Sequence, residues 1–259
     1  MKILKFGGKS LSNGLGIQNS LSIINKASIR QIAVVVSARG NATDELENLL
    51  ELAVTGLPFQ EPLQQFFAYQ SEGCKDFSLA NDLEELNQLL KAIALIGEYS
   101  TSVKDKVLAY GELISAQTMV YLLRQKGLNA VFVDARELIK TTGGEQFKVL
   151  HHESEMLVRE LFLKLPNGAI PVFTGFIASN MQGVTTTLGR NGSNYTATLL
   201  AQYCNASEVQ NWTDIDGIYT ADPALVTSAK RISSLTYREA NELANFGANI
   251  LHAKTIVPL

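Results

Sequence analysis

The sequence predicts an α/β fold: a mainly parallel sheet covered by helices on both faces. Three observations carry this. Short β-rich runs alternate with longer stretches of helical periodicity. The runs are apolar on both faces, as parallel strands sandwiched between helical layers must be. And 46% hydrophobic against 18% charged residues in a chain of 259 supplies a sizeable core and excludes disorder.

Taken in order, Lys2–Phe6, Gln31–Ala38, Ala130–Val133, Ile170–Thr174 and Glu208–Trp212 read as buried strands bounded by turn or polar residues. Between them Leu46, Leu49, Leu50 and Ala53 repeat at helical spacing, as do Leu113, Ala116, Val120 and Leu123, and later Ala197, Leu200, Ala201 and Cys204. Gly127 stops the Leu113 helix, with Arg124 and Lys126 in the last turn, where cations suit the dipole. Pro166-Asn167-Gly168 predicts a turn between a helix and the next strand. Thr236 and Glu239 have capping-box spacing, predicting a helix to about Phe246. Thr55–Asp82 is less regular and reads as a helical excursion. One domain is expected, without repeats or low-complexity tracts.

Several function classes are excluded or disfavoured. A net charge of −3 argues against a nucleic-acid surface as the main function. Cys74 and Cys204 cannot build a disulfide framework and fit a reducing cytosol. No apolar run suits a signal peptide or a membrane span, so a cytoplasmic protein without membrane partners is expected. His151, His152 and His252 lack metal-ligand spacing, and no protein metal site is expected.

Ligands of such sheets bind beyond the carboxyl ends of strands, which directs attention to three loops. Lys5-Phe6-Gly7-Gly8-Lys9-Ser10 offers backbone N–H groups and two cations to an anion, or is a tight turn with solvated lysines. It is not a P-loop, because Ile3 stands where the first glycine belongs, and Gly14-Leu15-Gly16 fails as a dinucleotide fingerprint at Asn19. Gly189-Arg190-Asn191-Gly192-Ser193 precedes a helix and suits an anionic ligand, with Arg190 forking onto a carboxylate; the alternative is a helix capped by Ser193 beside an exposed arginine. Thr213-Asp214-Ile215-Asp216-Gly217 through Tyr219-Thr220-Ala221-Asp222-Pro223 concentrates oxygen ligands but lacks calcium-loop spacing, and turn chemistry accounts for it as well.

Together with Val36-Ser37-Ala38, Gly111-Glu112, Thr174-Gly175-Phe176 and Phe246-Gly247-Ala248 followed by Leu251-His252, these loops in this order resemble the aspartate kinases of the amino acid kinase family, over essentially the whole chain. Arg190-Asn191-Gly192-Ser193 is most similar to the kinase part of bifunctional aspartokinase–homoserine dehydrogenases. The resemblance implies a three-layer αβα sandwich around a mostly parallel sheet. It also implies ATP-dependent phosphorylation of the L-aspartate side chain to 4-phospho-L-aspartate, the first step toward lysine, threonine and methionine, with ATP and Mg²⁺. It implies catalytic roles for Lys5, Gly8 and Asn194, and acceptor binding by Ser37, Thr43, Glu112, Arg190 and Ser193. Nucleotide contacts would come from Gly7, Gly8, Ser10, Thr213, Asp214, Tyr219 and Asp222. Residues 1–259 would be a kinase region cut short at its C-terminal side, with neither regulatory ACT module nor dehydrogenase, and a homodimer is the family-level expectation.

Four positions depart from the family pattern. Lys9 stands in place of threonine, Asn194 of aspartate, Ala224 of arginine and Asn249 of lysine. The last two would remove nucleotide contacts, with Lys9 or Lys254 as candidate replacements. These departures motivate a second reading, a non-catalytic binding homologue. A third, a kinase of another small acidic acceptor such as acetylglutamate or carbamate, is disfavoured because a blocked amino group offers no ammonium to Glu112.

Overall fold

A computed structural model describes residues 1–28, 31–74, 76–144, 147–221, 225–245, 253–256 and 258. The elements follow as β1 (Lys2–Phe6), α1 (Gly14–Ala27), β2 (Ile32–Val36), α2 (Ala42–Val54), α3 (Gln60–Gln70), α4 (Ala80–Ile96), α5 (Thr101–Gln125), β3 (Ala130–Val133), β4 (Lys140–Thr141), α6 (His151–Lys164), β5 (Ile170–Thr174), β6 (Ile177–Asn180), β7 (Thr185–Thr187), α7 (Gly192–Tyr203), β8 (Glu208–Trp212), α8 (Tyr237–Asn245) and α9 (Ala253–Ile256). Short 3₁₀ turns follow β1 at Lys9–Leu11 and β3 at Ala135–Glu137.

The five strands read from the sequence form one all-parallel sheet in the order β3-β5-β2-β1-β8. The two-fold alternation of side chains splits its apolar residues between two helical layers. Ile3, Ala33, Val35 and Phe173 pack with Leu199 and Leu200 of α7 and Val158 of α6. Leu4, Val34, Val36 and Val172 pack with Leu21 and Ile24 of α1 and Met119, Val120 and Leu123 of α5. The three-layer sandwich follows from that division. A further helical cluster, α2 through α4 against the first half of α5, is built on Leu46, Leu50, Phe66, Leu86, Leu90 and Ile114. The irregular stretch Thr55–Asp82 contains α3 and the start of α4.

Local signals read from the sequence correspond to geometry. Gly127 has φ 78° and closes the C-terminus of α5. The Thr236–Glu239 capping box is present in both halves: Thr236 N donates to Glu239 Oε2 (2.8 Å) and Glu239 N donates to Thr236 Oγ1 (3.2 Å). Two readings are corrected. β8 is a half-exposed edge strand rather than a buried one: Glu208, Val209 and Gln210 are partly exposed, and Asn211 and Trp212 are exposed. And α7 begins at Gly192 with Asn191 as its N-cap (φ 57°), so Ser193 lies inside the first turn, buried, and does not cap the helix. The Thr-rich sheet β4-β6-β7 has no counterpart in the sequence reading.

The fold aims β1, β2, β5 and β8 so that their carboxyl ends carry the candidate loops to one edge. Close packing there depends on glycine. A Cβ on Gly8 would lie 2.6 Å from Ala38 O, and one on Gly111 would lie 2.8 Å from Ala38 Cβ. Gly111→Ala gains helix propensity of about 1 kcal/mol but drives a rigid clash. It is expected to destabilise the chain by roughly 1–2 kcal/mol net in denaturant unfolding.

Candidate active site

Lys5 enters the site as the fourth residue of a central strand, so its backbone is locked between β2 and β8 and its side chain is 8% exposed. It lines two adjoining cavities. The first, about 650 Å³, is also lined by Gly8, Ser37, Thr43, Glu112, Arg190, Ser193 and Asn194. The second, about 430 Å³, is formed by Lys5, Asn194, Ala197, Asn211, Ile218, Ile232, Ser233, Leu235 and Tyr237 among others. Lys5 and Asn194 are the residues common to both. A group bridging the two spaces would pass between them.

The acceptor-side residues named from the sequence therefore share one wall. Arg190 is exposed at the rim of this cleft, and Lys5 lies at its floor. The loop geometry around them is strained in two places: Phe176 (φ 63°) and Asn191 (φ 57°) hold left-handed backbone at the first cavity. Such conformations cost on the order of 1–3 kcal/mol and persist where surrounding bonds over-determine them. Phe176 is held by its N–H to Thr196 Oγ1 (3.1 Å) and by Leu188 N–H to its carbonyl (2.7 Å).

Glu112 is the electrostatic centre. Its Oε1 accepts from Ala38 N (3.0 Å), while Oε2 is buried with no hydrogen-bond partner. Leaving such an acceptor unpaired costs roughly 1–3 kcal/mol, so the arrangement is one that a ligand cation completes. Burial raises the Glu112 carboxyl to about 8, opposed by the Ala38 hydrogen bond and by Lys5. Burial likewise lowers Lys5 to about 8, opposed by Glu112. Each group is destabilised in its charged form by desolvation, and their mutual attraction only partly compensates.

Asn194 also presents a buried side-chain oxygen without a partner, in the wall between the cavities. Among the described residues no three His, Cys, Asp or Glu side chains cluster as a metal centre. His151 Nδ1 lies 2.9 Å from Tyr203 OH, a structural contact; His252 lies outside the described residues.

The remaining nucleotide-side residues are placed differently. Gly7 donates its N–H to Trp212 O (3.0 Å), and a Cβ there would be 3.5 Å from Lys5 Nζ. Ser10 Oγ donates to Trp212 O (3.2 Å). Thr213 and Asp214 are exposed on the loop after β8, and Tyr219 OH donates to Asp216 (2.7 Å). None of these five lines either cavity; the wall of the second comes instead from Ile218, Ile232, Ser233 and Leu235, which carry no chemical signature in sequence. Lys9 lines neither cavity and pairs with Asp214 at 3.2 Å. Asp222, Ala224 and Asn249 lie outside the described residues, as do Phe246-Gly247-Ala248 and Leu251. Glu47, Lys104, Asp105 and Thr187 line the first cavity and were not singled out from the sequence.

The sequence profile of the Amino acid kinase family matches residues 1–259. The chain belongs to the amino acid kinase family. It is 35% identical over 271 residues to lysine-sensitive aspartokinase 3 of Escherichia coli, covering 99% of this chain and 58% of that one. It is 34% identical over 269 residues to the chloroplastic bifunctional aspartokinase/homoserine dehydrogenase 2 of Arabidopsis thaliana, covering 98% of this chain and 29% of the relative. The chain thus spans about a third of the length of the bifunctional relatives it matches. Among solved structures, E. coli aspartokinase III in complex with aspartate and ADP aligns with a TM-score of 0.88 at 33% identity, covering all of this chain and 59% of the other. No helix among the described residues is long and apolar enough to cross a membrane.

The pH behaviour of Glu112 is directly testable. Its carboxyl has a higher pKa folded than unfolded, so the contribution of this group to stability is fully present below the ordinary glutamate range and declines as pH rises toward about 8. Glu112→Gln removes that decline. The Tm of Glu112→Gln minus that of wild type is expected to grow steadily from pH 5 to pH 8, read by calorimetry.

Proposed function

We propose that this amino acid kinase transfers the γ-phosphoryl group of ATP to the side-chain carboxylate of L-aspartate, giving 4-phospho-L-aspartate, and that residues 1–259 form the kinase unit. The observation that carries the reading is the shared cleft in which Lys5, Glu112 and Arg190 meet, with Glu112 Oε2 buried and unpaired. The similarity to an aspartokinase solved with aspartate and ADP supports the same substrates.

The residues account for the chemistry. Aspartate's carboxylate, with an ordinary pKa near 3.9, is ionised at neutral pH and needs no general base. Its α-ammonium pairs with Glu112 and its α-carboxylate with the Arg190 guanidinium, so two opposite charges orient the amino acid. Ser37, Thr43 and Ser193 supply neutral hydrogen bonds to the same ligand. ATP's base and sugar occupy the more apolar second cavity, which brings the phosphates to Lys5 and Gly8 at the junction. There the Lys5 ammonium stabilises charge on the transferred group in a desolvated setting, and the Gly8 backbone keeps a side chain from obstructing it. Mg²⁺ bound with the nucleotide would supply further charge neutralisation. Asn194 Oδ1 would accept a hydrogen bond from a water bound to that ion.

A second reading, a binding homologue without turnover, is favoured by one observation: Lys9 is engaged by Asp214 outside both cavities and adds no cation to them. Calorimetry separates the two, since the binding homologue takes aspartate without ATP.

Hydroxamate detection of acyl phosphate, using the full-length protein with Mg-ATP, tests the proposal. Aspartate-dependent product is expected. Lys5→Met is expected to lower kcat about 10²–10³-fold, and Arg190→Ala to raise KM for aspartate with a smaller change in kcat. No aspartate-dependent product from the wild type would overturn it.

A further inference from the structure

A buried arginine outside the cavity wall at the first site carries a role that the chemistry above does not use. Arg39 directly follows Ser37-Ala38 and is 2% exposed. Its Nε donates to Leu11 O (3.0 Å), its Nη1 to Gln70 O (3.3 Å) and to Tyr69 O, and its Nη2 to Glu72 Oε2 (2.8 Å). The guanidinium carbon lies 4.4 Å from the centroid of the Tyr69 ring. Its own carbonyl accepts from Gln70 Nε2 (3.4 Å).

These contacts join three segments that are remote in sequence. Tyr69 and Gln70 end α3, where the carbonyls carry the negative end of the helix dipole. Leu11 closes the 3₁₀ turn after Gly7-Gly8, and Tyr69 OH donates to Ser12 O in that same loop. Beside Arg39, Gly40 N donates to Gly8 O (3.0 Å), and Ala38 N holds Glu112 (3.0 Å). One planar cation therefore ties the loop after β1 and the loop after β2 to the end of α3. Lysine lacks both the fork and the flat face that this geometry uses.

We propose that Arg39 is a positioning residue that fixes the Gly7–Ser12 and Ser37–Asn41 loops in register, so that Gly8, Ser37 and Glu112 meet the reacting groups in one arrangement. Its kinetic consequence rests on the aspartate kinase reading; its structural consequence does not. Held loops present donors without reorganisation at the moment of transfer, and small misplacements there cost on the order of 10²-fold in rate. The helical excursion α3 thereby acquires a purpose: it supplies the acceptors that hold the loops.

The test compares wild type with Arg39→Lys and Arg39→Ala by steady-state kinetics, hydrogen–deuterium exchange and Tm. The expected result is a kcat lowered roughly 10- to 100-fold with KM for aspartate within about threefold of wild type. Exchange should quicken at Gly7–Ser12 and Gly40 while the amides of α6 and α7 keep their protection. Arg39→Lys should recover little of the rate, whereas guanidinium ion at non-denaturing concentration should restore part of it to Arg39→Ala. Unchanged kcat with unchanged loop exchange overturns the proposal. So does a loss of protection spread evenly over the domain, which marks a general stability role. If both variants fail to fold, Glu72→Ala removes a partly exposed partner, and the same loop exchange decides: quickened supports, unchanged overturns. If the wild type shows no aspartate-dependent turnover, the functional reading fails by itself, and the exchange comparison still decides whether Arg39 holds the loops.

Discussion

A basic and an acidic side chain, Lys5 and Glu112, are buried in one cleft with neither satisfied by the other. Desolvation pulls the ammonium down and pushes the carboxyl up, both to about 8. A folded chain tolerates such a pair only where the surrounding structure is stable enough to hold it, and here β1 and α5 do so. Lys5 is fixed within the centre of a parallel sheet, and Glu112 on a 25-residue helix buried along most of its length. The cleft is thus preorganised for a ligand that brings a cation to Glu112 and an anion to Lys5. In the function proposed above, a zwitterionic dicarboxylic amino acid beside a triphosphate would supply both.

The rest of the architecture serves that geometry. Parallel strands deliver the loops after β1, β2 and β5 to one edge of the sheet, and the first turn of α7 adds Ser193 and Asn194 to the wall of the same cavity. Glycines at 8 and 111 let the Ala38 backbone approach closely enough to hold Glu112 by its N–H. Removing the charge from Glu112 relieves the fold and disables the ligand site, a conflict between stability and activity that is expected at a functional centre.

Much of this was legible in the sequence for physical reasons. The main strands are short runs between helices of clear periodicity, and the bounds of all five agree with the structure to within two residues. The small sheet escaped notice because Lys140–Thr141 and Thr185–Thr187 are too short and polar to carry a period. On the acceptor side, Lys5 and Arg190 were nameable because charge and glycine in loops next to strands mark chemistry, whereas Glu112, inside α5, was named only through the resemblance to aspartate kinases. The second cavity was not, because its walls are Ile218, Ile232, Ser233 and Leu235, which look like any packed loop. Arg39 was overlooked for the opposite reason: a single arginine in a loop reads as solvated, and only three-dimensional packing reveals it enclosed.

The most direct test of this electrostatic account is the number of protons exchanged when L-aspartate binds, obtained by calorimetry in buffers of different ionisation enthalpy at pH 7. A carboxyl held near 8 is mostly protonated at that pH and must ionise to receive the substrate's ammonium. Release of close to one proton per aspartate bound is expected, and none from the Glu112→Gln protein. Binding by the wild type with no net proton release would contradict it.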